Sequence, residues 1–259
     1  MIFDTHAHYD DRRFFGEEMT VSRDELLEGL FSNTVSGILN CATCIENFDD
    51  TLELSRRYER IYAALGIHPS DCGKYENLAD AMAALEHAVD NNDVAAIGEI
   101  GLDYHYDHYD KKTQLEYFDA QLRLAEKKDV PAVIHDRDAH GDVFEFVRKF
   151  QGTALIHSCS ESPETVRQIC RLGHYVSFSG SVTFKNANSV REAAMIVPDD
   201  LLLVETDCPY MAPAPFRGKL NHSGYIRYII DCIAEVRCTT PLHIERLTEE
   251  NARRLFRLD

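Results

Sequence analysis

Short apolar runs alternate with amphipathic stretches from one end of the chain to the other. Eight of the runs read as strands: residues 1–4, 37–40, 61–66, 94–100, 130–134, 154–156, 175–178 and 201–204. They are brief, aliphatic and rich in β-branched residues, as parallel strands buried on both faces are. The segments between them carry helix signals. Ser22-Arg23-Asp24-Glu25 forms a capping box ahead of Leu26, Leu27, Leu30 and Phe31. Thr113-Gln114-Leu115-Glu116 reads as a second box. Phe118, Leu122 and Ala125 follow it at helical spacing, and Lys127 and Lys128 suit the C-terminus. Ser162-Pro163 reads as an N-cap with proline at the first helical position, and Gly173 as the stop. Apolar faces over 143–150 and 226–233 and a short closing helix over 251–258 complete the pattern.

Eight strand-then-helix units in 259 residues predict an α/β fold: a single-domain (β/α)8 TIM barrel over residues 1–259. An open doubly wound sheet is the alternative, but Gly98-Glu99-Ile100-Gly101 does not open the glycine fingerprint expected of one. The proline-rich stretch 209–215 reads as a loop, and no repeat or linker divides the chain.

Charge and composition narrow the function. There are 44 acidic and 27 basic residues, a net charge of −17, which argues against a broad basic face for nucleic acid. It leaves room for positive charge supplied by bound metal. No apolar run approaches the ~20 residues of a membrane span. The opening Met1-Ile2-Phe3-Asp4-Thr5-His6 lacks a basic-then-apolar leader, so a cytoplasmic location is expected. The eight cysteines then read as reduced thiols. Cys41-Ala42-Thr43-Cys44 is a CxxC without a second pair, for which redox and metal roles are the alternatives.

The chemistry gathers where strands end. The first runs into His6-Ala7-His8, two imidazoles on the same side of an extended segment. The third is followed by His68, the fourth carries Glu99, the fifth His135-Asp136-Arg137, the sixth His157, and the eighth Glu205-Thr206-Asp207. Each alone has a structural explanation, a packed histidine or a helix-capping aspartate. Together they fall on the face where barrel enzymes work. Four imidazoles and two carboxylates exceed the needs of one tetrahedral ion. They suit two ions sharing a carboxylate, and nitrogen with oxygen donors fits zinc, manganese or iron(II) better than magnesium. Paired ions lower the pKa of a shared water and clamp the entering and leaving oxygens. Tyr104, Tyr106 and Phe184 offer faces for base stacking or for packing. His105 and His108 lie in an acidic, tyrosine-rich loop over 103–110, either a substrate wall or a solvated loop. His87, His174 and His243 read as helix-surface residues, and His140 and His222 as loop residues near the rim.

These strings resemble the TatD family of metal-dependent deoxyribonucleases, within the amidohydrolase-like barrels. The matching segments are Asp4-Thr5-His6-Ala7-His8, Gly66-Ile67-His68-Pro69, Gly98-Glu99-Ile100-Gly101-Leu102-Asp103-Tyr104, Gln114 to Phe118 with Gln121-Leu122, and Ile134-His135-Asp136-Arg137-Asp138-Ala139. His157, Thr183-Phe184, Glu205-Thr206-Asp207-Cys208-Pro209-Tyr210, Arg217-Gly218 with Asn221, and Asn251-Ala252 with Leu255-Phe256 extend them almost end to end. The resemblance implies two divalent ions, zinc, magnesium or manganese. His6, His8 and Asp207 would hold one, His135 and His157 the other, and Glu99 would bridge where many relatives of the wider group use a carboxylated lysine. It implies that Asp207 also handles a proton, and that Glu99 and Asp207 together are the catalytic carboxylates. It places His68 and Arg137 near a substrate phosphate, with Tyr104 and Arg217 as further substrate contacts. Two segments depart from the family. Its usual His-Cys-Phe-Ser-Gly is here His157-Ser158-Cys159-Ser160-Glu161, and Asn221-His222-Ser223 lacks the expected proline.

The reading that follows is a metal-dependent phosphodiesterase acting on DNA, a 3′-to-5′ exonuclease on single strands or overhangs. The alternative is an amidohydrolase-type hydrolase of an ester, lactone, amide or aminoacyl-tRNA bond on the same centre. A non-catalytic barrel would be expected to lack ligands, and all six are present.

Overall fold

Each strand of the computed structural model pairs in parallel with the next in sequence, giving one eight-stranded sheet in the order β1 to β8. The structure describes residues 1–17, 19–106 and 110–258. The strands are β1 (Ile2–Ala7), β2 (Val35–Cys41), β3 (Ile61–Leu65), β4 (Ala96–Asp103), β5 (Ala132–Arg137), β6 (Ala154–Ile156), β7 (Tyr175–Phe178) and β8 (Leu202–Val204). The helices are α1 (Arg23–Asn33), α2 (Phe48–Arg57), α3 (Leu78–Asp90), α4 (Lys111–Lys128), α5 (His140–Val147), α6 (Pro163–Arg171), α7 (Asn188–Ile196), α8 (Ile226–Val236) and α9 (Pro241–Phe256). This is the expected TIM barrel. Among the described residues no helix is long and apolar enough to cross a membrane.

The sheet closes through the chain just past β8. Asp207 N–H donates to His6 O at 2.9 Å and His8 N–H to Cys208 O at 2.8 Å. Below this seam the buried Asp4 carboxylate accepts from Thr206 N–H at 2.8 Å, Thr206 Oγ1 at 2.6 Å and Ser223 Oγ at 2.7 Å. Barrel closure and site assembly are therefore one event.

The interior holds Phe3, Leu39, Ala64, Ala96, Val133, Leu155 and Leu203, with Leu255 and Phe256 of α9 packed against them from below. A second apolar layer, including Ile97, Ile134, Phe118 and Ile229, joins the strands to the helices. Burying each large side chain contributes roughly 1.5–3 kcal/mol, so the barrel needs no covalent staple.

Several boundaries differ from expectation. β1, β4 and β5 each run three residues further than their apolar runs, because polar side chains occupy their upper ends. α4 starts at Lys111, capped by Asp110, which accepts from Thr113 N–H at 2.7 Å; the box expected at Thr113 is displaced by a better N-cap upstream. α9 is a 16-residue helix rather than the short closing one. Its polar first half satisfies the surface while Ala252, Leu255 and Phe256 plug the barrel. The capping box at Ser22 and the Ser162-Pro163 start are as expected. His174, expected on the surface, is buried, and its Nδ1 accepts from Ala154 N–H at 3.2 Å. His108 lies outside the described residues.

Two glycines of the motifs are required by close approach. A Cβ on Gly66 would lie 2.7 Å from the Gly98 carbonyl carbon. Gly101 has φ +143° and its Cβ would lie 2.0 Å from His135 O. Gly101→Ala should therefore lower the unfolding free energy by about 3 kcal/mol, a loss of roughly 6–12 °C in melting temperature. Thermal denaturation followed by circular dichroism measures this, and an unchanged midpoint would show that β4 and β5 can separate freely.

Candidate metal centre

Strand alternation carries three polar side chains to the barrel mouth. Two residues above interior Val133, Leu155 and Leu203 stand His135, His157 and Glu205, on the same inward face. β1 and β4 do it differently. Each has a register shift, between Asp4 and Ala7 and between Ile97 and Ile100, so that His6 and Glu99 face inward three residues above Phe3 and Ala96. Such irregularities re-aim side chains beside active sites.

Glu99 occupies the middle. Its Oε2 lies 3.3 Å from His6 Nε2 and 3.5 Å from His8 Nε2. Its Oε1 lies 2.8 Å from both His135 Nδ1 and His157 Nε2. The two oxygens of one buried carboxylate thus face two different histidine pairs. Asp207 closes the group, with Oδ1 3.5 Å from His8 Nε2 and 4.0 Å from His6 Nε2. Its backbone is left-handed, φ +55°, a conformation that aspartate and asparagine tolerate better than other side chains.

Outer partners fix which ring atoms face inward. His8 Nδ1 stands 2.7 Å from Cys41 O, which only accepts, so Nδ1 carries a proton and Nε2 is the ring atom that faces the centre. His157 Nδ1 donates likewise to Glu205 Oε1 at 3.2 Å, and Glu205 is itself held by Ser177 Oγ. His6 Nδ1 lies 3.4 Å from the Cys41 thiol. His135 Nε2 is buried without a hydrogen bond, 3.5 Å from Asp103 Oδ2. His68 is different. Its Nδ1 accepts from Ser70 N–H at 3.1 Å, so Nε2 carries the proton and points a donor at the centre, 3.5 Å from Glu99 Oε1.

The electrostatics match a cation site. Burial opposes charge on Glu99, but the His157, His68 and His6 rings overcome it and hold the carboxyl well below its usual range. Asp207 is also lowered: burial opposes its charge, and the His8 hydrogen bond and neighbouring rings outweigh this. Burial disfavours charge on His8, yet Asp207 and Glu99 raise it to about 9. His157 is raised in the same way, against burial, by Glu99 and Glu205. Burial pushes His68 down to about 3 and keeps it neutral. Two ionised acids thus draw protons onto the rings that face them. Divalent cations would satisfy the same carboxylates while taking the ring lone pairs. The convergence of His6 Nε2 and His8 Nε2 at 3.1 Å beside Glu99 fits that use.

The centre lies at the base of a cleft of about 860 Å³. Arg12, Lys74, Arg137 and Tyr106 are among its walls, with His68 beside the ligands. Tyr104 and Arg217 are not brought there. The Tyr104 hydroxyl donates to Asp142 at 2.8 Å, and Arg217 lies 4.3 Å over the Phe184 ring. Tyr104 follows the last residue of β4, and alternation turns its ring away from the mouth. Cys41 and Cys44 are free thiols, Cys41 buried beneath His6. Sequence reasoning assigned no role to Glu205, though a period-two reading of β8 from Leu203 places it inward.

A family model described as TatD related DNase matches residues 3–257. The chain belongs to this family. A metal-dependent hydrolase of Bacillus subtilis (strain 168), YabD, is 37% identical over 262 residues, covering 100% of both chains. YcfH of Escherichia coli (strain K12), also described as a metal-dependent hydrolase, is 32% identical and covers 100% of this chain and 96% of its own. The crystal structure of the E. coli TatD homologue YjjV superposes with a TM-score of 0.91 at 28% identity, over 100% of this chain and 98% of that one. The protein is thus a TatD-family, metal-dependent hydrolase. The family's motif glutamines have a structural task here. Gln121 brackets Ile67, accepting from its N–H at 2.7 Å and donating to its carbonyl at 3.0 Å. Gln114 brackets Asp103 in the same way at 2.8 Å and 2.8 Å. Seven residues apart on α4, they share a face and pin the chain beside His68 and beyond Glu99.

Glu205→Gln should leave the barrel folded and weaken metal affinity roughly 10- to 100-fold, by releasing the His157 ring. Competition against a coloured chelator reads this, and an unchanged affinity would remove Glu205 from the support of the centre.

Proposed function

We propose that this protein is a deoxyribonuclease that removes nucleotides from the 3′ ends of single-stranded or overhanging DNA. The observation that carries the reading is a doubly faced carboxylate, Glu99, at the base of a cleft walled by Arg12, Lys74 and Arg137 in a chain of net charge −17. The same walls carry Asp10, Asp11, Glu46, Asp50, Asp71 and Asp103, so the positive charge that would draw in a phosphate is that of the bound cations, with Arg12 and Arg137 beside them, and it favours a polyanion that enters end-on. A cleft of about 860 Å³ suits a few terminal nucleotides, not a duplex lying across a face.

We assign one ion to His6, His8 and Asp207, the other to His135 and His157, and Glu99 to both. Bound there, the pair would supply an acidified water and stabilise charge on the reacting phosphate. The chain's own groups do the rest. Asp207, ionised and adjacent to His8, accepts the proton of the attacking water and returns it to the leaving oxygen. Neutral His68 donates from Nε2 to a phosphate oxygen. Arg137 offers its planar fork to the same group, and Tyr106, beneath the Arg137 guanidinium at 5.2 Å, offers a base-stacking face. Eight free thiols suit a reducing compartment, which supports a cytoplasmic site of action.

The test is a 3′-overhang oligonucleotide labelled at its 5′ end, with Mg²⁺ or Mn²⁺. Wild type should yield a ladder shortening from the 3′ end, abolished by chelator and restored by metal. Asp207→Ala should lower kcat about 10²- to 10⁴-fold, and Arg137→Ala should lower kcat/KM roughly 10- to 100-fold. An intact label with every metal, beside turnover of an ester, lactone, amide or aminoacyl substrate, would reassign the centre to acyl chemistry.

A further inference from the structure

Three ligand-type side chains that the barrel centre does not use converge on the outer side of the same rim. Alternation along β5 sends His135 inward and Asp136 outward. The Asp136 side chain is 2% exposed, and neither of its oxygens accepts a hydrogen bond. His140, the first residue of α5, sets Nδ1 3.0 Å from Asp136 Oδ1 and 3.0 Å from Glu161 Oε1. That nitrogen has no hydrogen bond either, because neither contact has the geometry of one. The Glu161 side chain, in the connection after β6, is also 2% exposed. One donor atom from each of the three residues lies within 4.8 Å of the others.

We infer that Asp136, His140 and Glu161 form a separate divalent-cation site. Two buried carboxylates this close repel one another unless positive charge lies between them or one of them holds a proton. One imidazole and two carboxylates are a donor set for zinc or manganese. The His140 side chain is 40% exposed, which gives an entry path and leaves coordination positions open to water. Glu161 is the acid that stands where the family pattern has glycine, so the third ligand belongs to this chain's own departure from that pattern. The site braces two connections that bear on the barrel centre. Asp136 adjoins His135 and precedes Arg137, and Glu161 lies four residues beyond His157. The bound ion touches no reacting atom. It holds the β5–α5 and β6–α6 connections together and so positions His135 and His157.

The competing occupant is a proton. An imidazolium at His140 would also sit between the carboxylates, and Asp136 and Glu161 raise its pKa to about 10. Counting ions separates the two. Metal-free protein is loaded with Zn²⁺ or Mn²⁺, freed of excess, and weighed by native mass spectrometry, with elemental analysis in parallel. Wild type should carry one ion per chain more than Glu161→Gly and one more than His140→Ala. The difference holds whatever the loading of the barrel centre, because it should persist when each change is placed on a His6→Ala/His8→Ala background. Glu161→Gln, close in shape to the natural residue, provides a folded comparison if the glycine variant is unstable, and circular dichroism verifies the fold. Equal ion counts in wild type and all folded variants would overturn the site and leave a proton, on His140 or on Glu161, as the occupant.

Discussion

A single buried carboxylate, Glu99, organises the mouth of this barrel. It is 4% exposed, and removing a carboxylate from water costs several kcal/mol unless nearby charge offsets it. Five imidazoles stand within 3.5 Å of its two oxygens, three on one side and two on the other. No single strand could deliver that set. It requires a closed ring of strands, which is why the hydrogen bonds that seal β1 to the segment after β8 also fix His6, His8 and Asp207. Gly66, just past β3, lacks a Cβ where the chain runs against the Gly98–Glu99 backbone, and Gln121 pins the chain leading to His68. Fold and site answer to one constraint, the lodging of a desolvated negative charge.

Much of this is legible in the amino-acid sequence because parallel barrels write their order plainly. Eight aliphatic runs separated by capped helices leave few alternatives, and the ligands interrupt those runs where strands end. The same interruption hides the strand boundaries. The apolar runs stop short of His6 and His135 and just after Glu99, three residues before each strand ends. The register shifts in β1 and β4 are invisible to a period-two reading, which from Phe3 and Ala96 would point His6 and Glu99 outward. Long-range partners are equally hidden. Nothing local announces that Glu205 supports His157, that Cys41 O orients His8, or that Asp136 meets a carboxylate 25 residues further on. Tyr104 shows the converse: the motif around it is intact, yet its position just past β4 turns its ring from the cleft.

Membership of a hydrolase family fixes the kind of centre more firmly than the bond it breaks. The ligand rings are set by the barrel, whereas the cleft walls come from loops that vary at little cost to the core. Here the cleft walls mix Arg12, Lys74 and Arg137 with a larger number of carboxylates, and the connection after β6 places Glu161 beside Asp136 and His140. Both features lie within a few residues of the barrel ligands. The inward faces of the strand ends gather the histidines and carboxylates of the proposed centre, and the outward faces of the same strand ends can hold them in place.

The central claim is that Glu99 joins two cations at the barrel mouth. Anomalous diffraction from crystals of the manganese- or zinc-loaded protein tests it most directly. The account predicts two peaks about 3.5–4 Å apart, with one Glu99 oxygen on each, His6 and His8 beside the first, and His135 and His157 beside the second. A single peak within the histidine ring, or two peaks of which Glu99 touches only one, would contradict it.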